Sequence, residues 1–181
     1  FWNWLYRKRI KRSKDSNSNS CPYKRSKIWE KKKKILTISE KLNKDFKIKD
    51  ISILKGPCLA KELAKENQTS VIIANKNINK AKKIGKMIST KYYLIEYSKD
   101  IIGVEISSAI KNIYSMIIGA GQSLNAASNL FQKSVVEMRY LIKFFKGDVE
   151  TILGLAGVGD LYVSAAGGRN SKMGSYLGKG F

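Results

Sequence analysis

The spacing of apolar and polar residues changes along the chain and predicts an order of helices and strands. Apolar residues at helical spacing predict a first helix that begins near Ile35 and ends near Phe46. Short apolar runs predict three strands, over residues 51–54, 70–74 and 92–97. Helices are predicted between these strands, over residues 60–65 and 77–89. Alternating strands and helices predict an α/β region that ends near residue 100.

The strand pattern stops after Ile101. Two long helices are predicted within residues 103–146, with a break between Gly119 and Ser128. They are followed by a shorter helix, a glycine-rich loop and a last helix, over residues 149–155, 157–168 and 171–178. The apolar run over 113–120 is too short to cross a bilayer, so no transmembrane segment is expected. The predicted fold class is α/β and then all-α: a partial sheet followed by an incomplete helical domain.

Composition narrows the chemistry. The chain has 181 residues and no histidine. Imidazole zinc ligands and Ser-His-Asp or Cys-His pairs are therefore excluded, and a general base must be Lys, Asp, Glu, Tyr or Cys. No metal site is expected. The two cysteines, Cys21 and Cys58, form no CxxC motif or disulfide framework, which favours a reducing compartment and a cytoplasmic location.

The net charge of +21 is unevenly distributed. Residues 1–34 combine aromatic and basic side chains with a Ser/Asn-rich stretch and carry about half of the charge. They fail as a signal peptide because no apolar run follows the charges. They fit a disordered tail or sequence unrelated to the fold, and residues 1–26 are taken as an unmatched basic tail. The alternative is a basic module that binds nucleic acid or an anionic membrane through residues 1–34.

Three clusters are candidates for a site. Gly56-Pro57-Cys58 follows a predicted strand and precedes a helix, which suits an anionic ligand or a cofactor, or a plain turn. Lys111 lies in a mainly uncharged helix, which suits either a partly buried base or a solvated lysine. The segment over 157–170 gathers glycines with a carboxylate, a guanidinium and an amide, from Asp160, Arg169 and Asn170.

These clusters, in this order, resemble NAD(P)-dependent glycerol-3-phosphate dehydrogenases. The family pattern G-[PA]-x-x-A-x-E is met by Gly56, Pro57, Ala60 and Glu62. The pattern V-E-x-x-x-A-[LI]-K-N is met by Val104, Glu105, Ala109, Ile110, Lys111 and Asn112. A G-[LV]-[AG]-D-L loop followed by G-G-R-N is met over residues 157–161 and 167–170. The resemblance covers about residues 35–181.

The resemblance implies the reversible, NAD- or NADP-dependent reduction of dihydroxyacetone phosphate to sn-glycerol 3-phosphate. It implies that Lys111 exchanges a proton with the substrate and that Asp160 orients this lysine. It further implies a homodimer when the enzyme is intact. Substrate contacts are implied for Lys27, Gly56, Cys58, Asn112, Ser164, Arg169 and Asn170. Cofactor contacts are implied for Ala60 and Arg169.

The chain also departs from the family pattern. The family's dinucleotide-binding turn, G-x-G-x-x-G, is missing, because the chain has no glycine before Gly56. We therefore expect an internal piece of such an enzyme, inactive or impaired, from a truncated or frame-disrupted gene copy. Its expected parts are the tail over 1–26, a partial Rossmann-type dinucleotide-binding domain over 27–100 and a partial helical substrate domain over 101–181.

Overall fold

The computed structural model of the chain describes residues 35–180. Helix α1 (Ile38–Phe46) begins at Thr37, because the Thr37 hydroxyl accepts from the Glu40 amide and the Glu40 carboxylate accepts from the Thr37 amide. This reciprocal capping satisfies backbone donors that the first turn of a helix leaves free. The helix ends at Lys47, which has a left-handed conformation with φ of 59°.

A sheet of three strands follows: β1 (Ile53–Lys55), β2 (Thr69–Ala74) and β3 (Tyr93–Ser98). The central strand β2 pairs antiparallel with β1 and parallel with β3. The connections contain the four-residue helix α2 (Ala60–Leu63) and helix α3 (Ile78–Ile88). The strand β2 is buried because its apolar run is continuous, as expected for a central strand covered on both faces.

Helices make up the rest of the described chain. They are α4 (Ile101–Gly119), α5 (Leu124–Phe144), α6 (Asp160–Gly167) and α7 (Arg169–Gly178). A 3₁₀ helix (Val149–Leu153) and a π-helical turn (Leu155–Gly159) connect α5 to α6. The predicted order of strands followed by helices is confirmed, and so is the predicted break between the two long helices.

The glycine-rich loop predicted over 157–168 is wrong. The structure has the π-helical turn and then α6 in this segment. Gly157 is buried, and a Cβ atom there would collide with the backbone of Ile152. The prediction failed because glycine was taken to indicate a loose connection, whereas here it permits close packing.

Helix α4 is the central helix of this region. By length and composition alone it could cross a membrane, but 56% of its apolar window is buried within the fold. It packs against α5, α6, α7 and the strand β1. The core around it is formed by Ile106, Tyr114, Ile118, Met138, Ile142, Ile152 and Leu161. Its high apolar content is therefore explained by burial in the protein interior.

Asp100 joins the sheet region to the helices. Its carboxylate accepts from the Gly103 amide at 2.9 Å and thereby caps the start of α4. The same carboxylate accepts from the Thr151 hydroxyl at 2.6 Å and from the Asp148 amide at 2.9 Å. This side chain therefore fixes the start of α4 relative to the segment that leads into α6.

Candidate active site

A cleft of about 340 Å³ lies where α4, α6, the start of α7 and the turn after β1 meet. The helix α4 provides one wall, and α6 with the start of α7 provides another. The cleft is lined by Gly56, Cys58, Leu59, Lys111, Asn112, Ser115, Asp160, Val163, Ser164, Gly168, Arg169 and Asn170. Most of these residues are polar, so the cleft suits a small polar ligand.

An ion pair between Lys111 and Asp160 lies in this cleft. The Lys111 ammonium contacts Oδ1 of Asp160, and their side chains are 18% and 6% exposed. Lys111 comes from the middle of α4, whereas Asp160 is the first residue of α6, directly after the π-helical turn. A buried carboxylate is costly unless it is paired, so the pair fixes the lysine in place. A lysine held in this way is positioned to exchange a proton with a ligand.

A second polar contact in the cleft joins α4 to α7. The Asn170 Nδ2 donates to the Asn112 Oδ1 at 3.0 Å. The two helices approach closely because Gly174 lies against the backbone of Met116, where a Cβ atom would collide with its carbonyl. This approach places the first turn of α7, which carries Arg169, beside the middle of α4.

The turn after β1 forms the sheet side of the cleft. Gly56 has φ of 131°, a conformation that favours glycine, and a Cβ atom there would lie 3.1 Å from Cα of Val71. The turn places Cys58 and Leu59 against the cleft. Cys58 is exposed and is a free thiol.

The charge of the cleft favours an anion. Its ionisable side chains include two cations, Lys111 and Arg169, and one carboxylate, Asp160. Since Lys111 and Asp160 neutralise one another, the exposed guanidinium of Arg169 remains. A guanidinium binds phosphate or carboxylate oxygens in a bidentate manner. Within residues 35–180, no group of His, Cys, Asp and Glu side chains could hold a metal ion.

The structure brings together most of the predicted site residues. Those that line the cleft are Gly56, Cys58, Lys111, Asn112, Asp160, Ser164, Arg169 and Asn170. Ala60 begins the short helix α2 beyond the lining residue Leu59 and is not part of the lining. Lys27 and the basic tail over 1–26 lie outside the described residues. The roles assigned to all these residues stay predictions.

Four lining residues were not predicted: Leu59, Ser115, Val163 and Gly168. Ser115 could have been found, because it follows Lys111 by one helical turn and therefore lies on the same face of α4. Val163 likewise follows Asp160 by three residues on α6. The shared face of Asp160 and Val163 could not be predicted, because this segment was interpreted as a loop and not as a helix.

The residues fit one end of a nicotinamide dinucleotide better than the other. The turn at Gly56, with Cys58 and Leu59, lines the same cleft as the Lys111–Asp160 pair, so a nicotinamide ring placed at this turn would lie in the cleft that holds the proton-exchanging lysine. A glycine turn of the G-x-G-x-x-G type, which binds a pyrophosphate, occurs nowhere in the sequence. The residues described here therefore fit the nicotinamide ring of the dinucleotide and not its pyrophosphate.

Comparison with known protein families gives two matches that cover most of the chain. The family model described as NAD-dependent glycerol-3-phosphate dehydrogenase C-terminus matches residues 100–181. The model described as NAD-dependent glycerol-3-phosphate dehydrogenase N-terminus matches residues 26–81. The second match begins one residue before Lys27 and includes the turn at Gly56.

Curated relatives and a solved structure agree with these matches. An Archaeoglobus fulgidus protein named NADP(+)-dependent glycerol-3-phosphate dehydrogenase is 36% identical over 158 residues, which are 81% of this chain and 47% of that protein. A Ligilactobacillus salivarius glycerol-3-phosphate dehydrogenase [NAD(P)+] is 35% identical over 79% of this chain and 44% of that protein. The crystal structure of glycerol-3-phosphate dehydrogenase from Coxiella burnetii superposes with a TM-score of 0.69 at 31% identity, over 73% of this chain and 42% of that one. The chain thus spans less than half the length of these relatives.

Proposed function

Because the chain belongs to the NAD-dependent glycerol-3-phosphate dehydrogenase family, we propose that it carries the substrate half of such an enzyme's active site. The proposed reaction is the reversible reduction of dihydroxyacetone phosphate to sn-glycerol 3-phosphate. The observation that carries the proposal is the buried Lys111–Asp160 pair beside Arg169 in one small cleft. When bound, NAD or NADP supplies or accepts the hydride.

The residues of this chain have distinct parts in the proposed reaction. The Lys111 ammonium donates a proton to the oxygen on the central carbon during reduction and takes it back during oxidation. Asp160 orients this ammonium and balances its charge. Arg169 and Asn170 hold the phosphate, and the hydroxyl of Ser164 and the amide of Asn112 hold the remaining oxygens.

The cofactor and the remaining substrate contacts extend the same proposal. Gly56 and Cys58 contact the substrate from the sheet side, and Ala60 and Arg169 contact the cofactor. Lys27 is assigned to the substrate by the family pattern alone. A division near residue 100 into a dinucleotide-binding part and a substrate part is supported by the two family matches, which end at 81 and begin at 100.

A homodimer in the cytoplasm is the proposed setting. The face of α5 supports association, since Val136, Tyr140 and Phe144 follow one another at helical spacing and are 41%, 71% and 77% exposed. The free thiol of Cys58 is consistent with a reducing compartment. The alternative of a basic binding module on residues 1–34 receives no support from the matched families.

The test is the Lys111→Ala variant of the protein expressed from the full-length gene, assayed by oxidation of NADH or NADPH in the presence of dihydroxyacetone phosphate. Removal of a general acid–base group should lower the rate by roughly 100-fold or more. Lys172→Ala is the matched control, because Lys172 is an exposed lysine of α7 outside the cleft. Turnover that survives Lys111→Ala unchanged would refute the role of Lys111.

A further inference from the structure

One hydroxyl in the cleft has no part in the proposed reaction so far. Ser115 lines the cleft and has 0% of its surface exposed. It follows Lys111 by four residues on α4, so the two side chains lie about 6 Å apart at their Cβ atoms. Because none of its surface is exposed, its hydroxyl can reach an occupant of the cleft only by turning toward it.

The present hydrogen bond of Ser115 can be exchanged at little cost. Its hydroxyl donates to the carbonyl of Asn112 at 3.0 Å. That carbonyl lies inside α4, where it takes the backbone N–H of the residue four positions later. The carbonyl therefore stays satisfied when the hydroxyl turns to another acceptor.

The position of Ser115 indicates which part of a ligand it meets. Asn112 holds Asn170, and a Cβ atom on Gly119 would collide with the backbone of Ser171. The stretch of α4 from 112 to 119 therefore faces the first turn of α7. Ser115 lies within this stretch and lines the same cleft as Arg169.

We propose that Ser115 is a further binding residue for the oxyanion end of the substrate. Its hydroxyl turns from the Asn112 carbonyl and donates to a phosphate oxygen that Arg169 also holds. An anionic oxygen is a stronger acceptor than a carbonyl that already has a partner. This inference rests on the proposed function, because the anion is the phosphate of the proposed substrate.

The experiment is calorimetric titration of the full wild-type chain and its variants with inorganic phosphate, without nicotinamide cofactor. Loss of one hydrogen bond to a charged group should weaken phosphate binding about tenfold in Ser115→Ala. Ser115→Cys nearly preserves the side-chain volume and lacks a strong donor, so it should weaken binding similarly. Ser115→Thr keeps the hydroxyl and should recover most of the affinity.

Ser107→Ala is the matched control. Ser107 lies on the same helix and is also 0% exposed, but it does not line the cleft. Its hydroxyl has no hydrogen-bond partner within residues 35–180. Phosphate affinity should therefore be unchanged in this variant.

The outcomes separate the inference from the proposed function. Equal phosphate affinity in the wild type and Ser115→Cys overturns the inference alone, as does an equal loss in Ser107→Ala. A wild-type protein that binds no phosphate overturns the inference together with the proposed phosphate end of the cleft.

Discussion

The sheet region and the helical region of this protein differ in the charged side chains that they bury. The central strand of the sheet buries apolar residues such as Val71, Ile73 and Ala74, all at most 1% exposed. The helical region also has an apolar core, but it buries Ser115 and Asp160 and most of Lys111 as well. Both regions bury neutral polar side chains, such as Asn75 in the sheet region and Ser107 away from the cleft, but the buried carboxylates among the described residues, Glu105 and Asp160, belong to the helical region. A buried carboxylate is costly unless it is paired, and the partner of Asp160 is the Lys111 ammonium in the cleft.

The two regions also contribute differently to the cleft. The sheet region provides the turn around Gly56, and this turn contributes Cys58 and Leu59. The helical region provides the ion pair, the amide pair and the guanidinium. The sheet region thus contributes mainly a backbone turn to the cleft, whereas the helical region contributes its charged and amide side chains.

The largest expected effect tests the sheet side of this comparison. Ile73 is 1% exposed, and Ile73→Ala should lower the free energy of unfolding by about 2–5 kcal/mol through lost burial and a cavity. The rate per folded molecule should stay unchanged, because Ile73 does not line the cleft. Denaturant unfolding measures the free energy of unfolding, and the oxidation rate of NADH or NADPH divided by the folded fraction gives the rate per folded molecule. A tenfold lower rate in the folded fraction would contradict the separation.

A smaller change in the helical region should affect the site more. Gly174→Ala adds one methyl group against the Met116 backbone and should cost about 1–3 kcal/mol by overpacking. Because α7 must move away from α4, Arg169 and Asn170 shift and phosphate binding weakens. Thermal unfolding with and without phosphate measures both effects.

The matched control for this variant is Gly167→Ala at the end of α6. A Cβ atom there meets nothing within 4 Å, so neither stability nor phosphate binding should fall. Phosphate affinity that is equal in Gly174→Ala and the wild type would show that the helix contact does not position Arg169.

Sequence patterns predicted the two regions unequally. The strand β2 and the helices α3, α4 and α5 followed from apolar spacing, because burial on one side or both leaves a regular pattern. The segment over 157–168 did not, because its glycines indicate a loop by composition, whereas Gly157 is required by close packing against the Ile152 backbone. The antiparallel pairing of β1 with β2 likewise depends on tertiary contacts.

The site residues that belong to a family motif were predicted from the sequence. Those whose burial depends on how the helices pack were missed. Lys111 and Asp160 are 49 positions apart in the chain, and family motifs placed them together. Ser115 belongs to none of the quoted motifs, and its burial depends on how closely α7 approaches α4. Its spacing from Lys111 indicates the shared face of α4, but its burial follows only once the helices are in place.

The smallest expected effect concerns Tyr114, a buried residue of α4 in the helical core. Its hydroxyl donates to the Glu137 carboxylate at 3.2 Å, and it joins α4 to α5. Burial, with the nearby Glu137 charge, raises the pKa of Tyr114 to about 12. Tyr114→Phe should cost about 1 kcal/mol at neutral pH by loss of this hydrogen bond.

The pH dependence of that cost has a definite sign. The folded pKa of Tyr114 lies above its ordinary value of 10.0, so the folded state retains the proton more strongly than the unfolded state. The stabilisation is complete below about pH 10 and is lost as pH rises through about 12. The difference in unfolding free energy between wild type and Tyr114→Phe should therefore shrink across this range. Tyr140→Phe is the control, because Tyr140 is 71% exposed on α5. A constant difference for Tyr114→Phe would show that its buried hydroxyl is not coupled to folding.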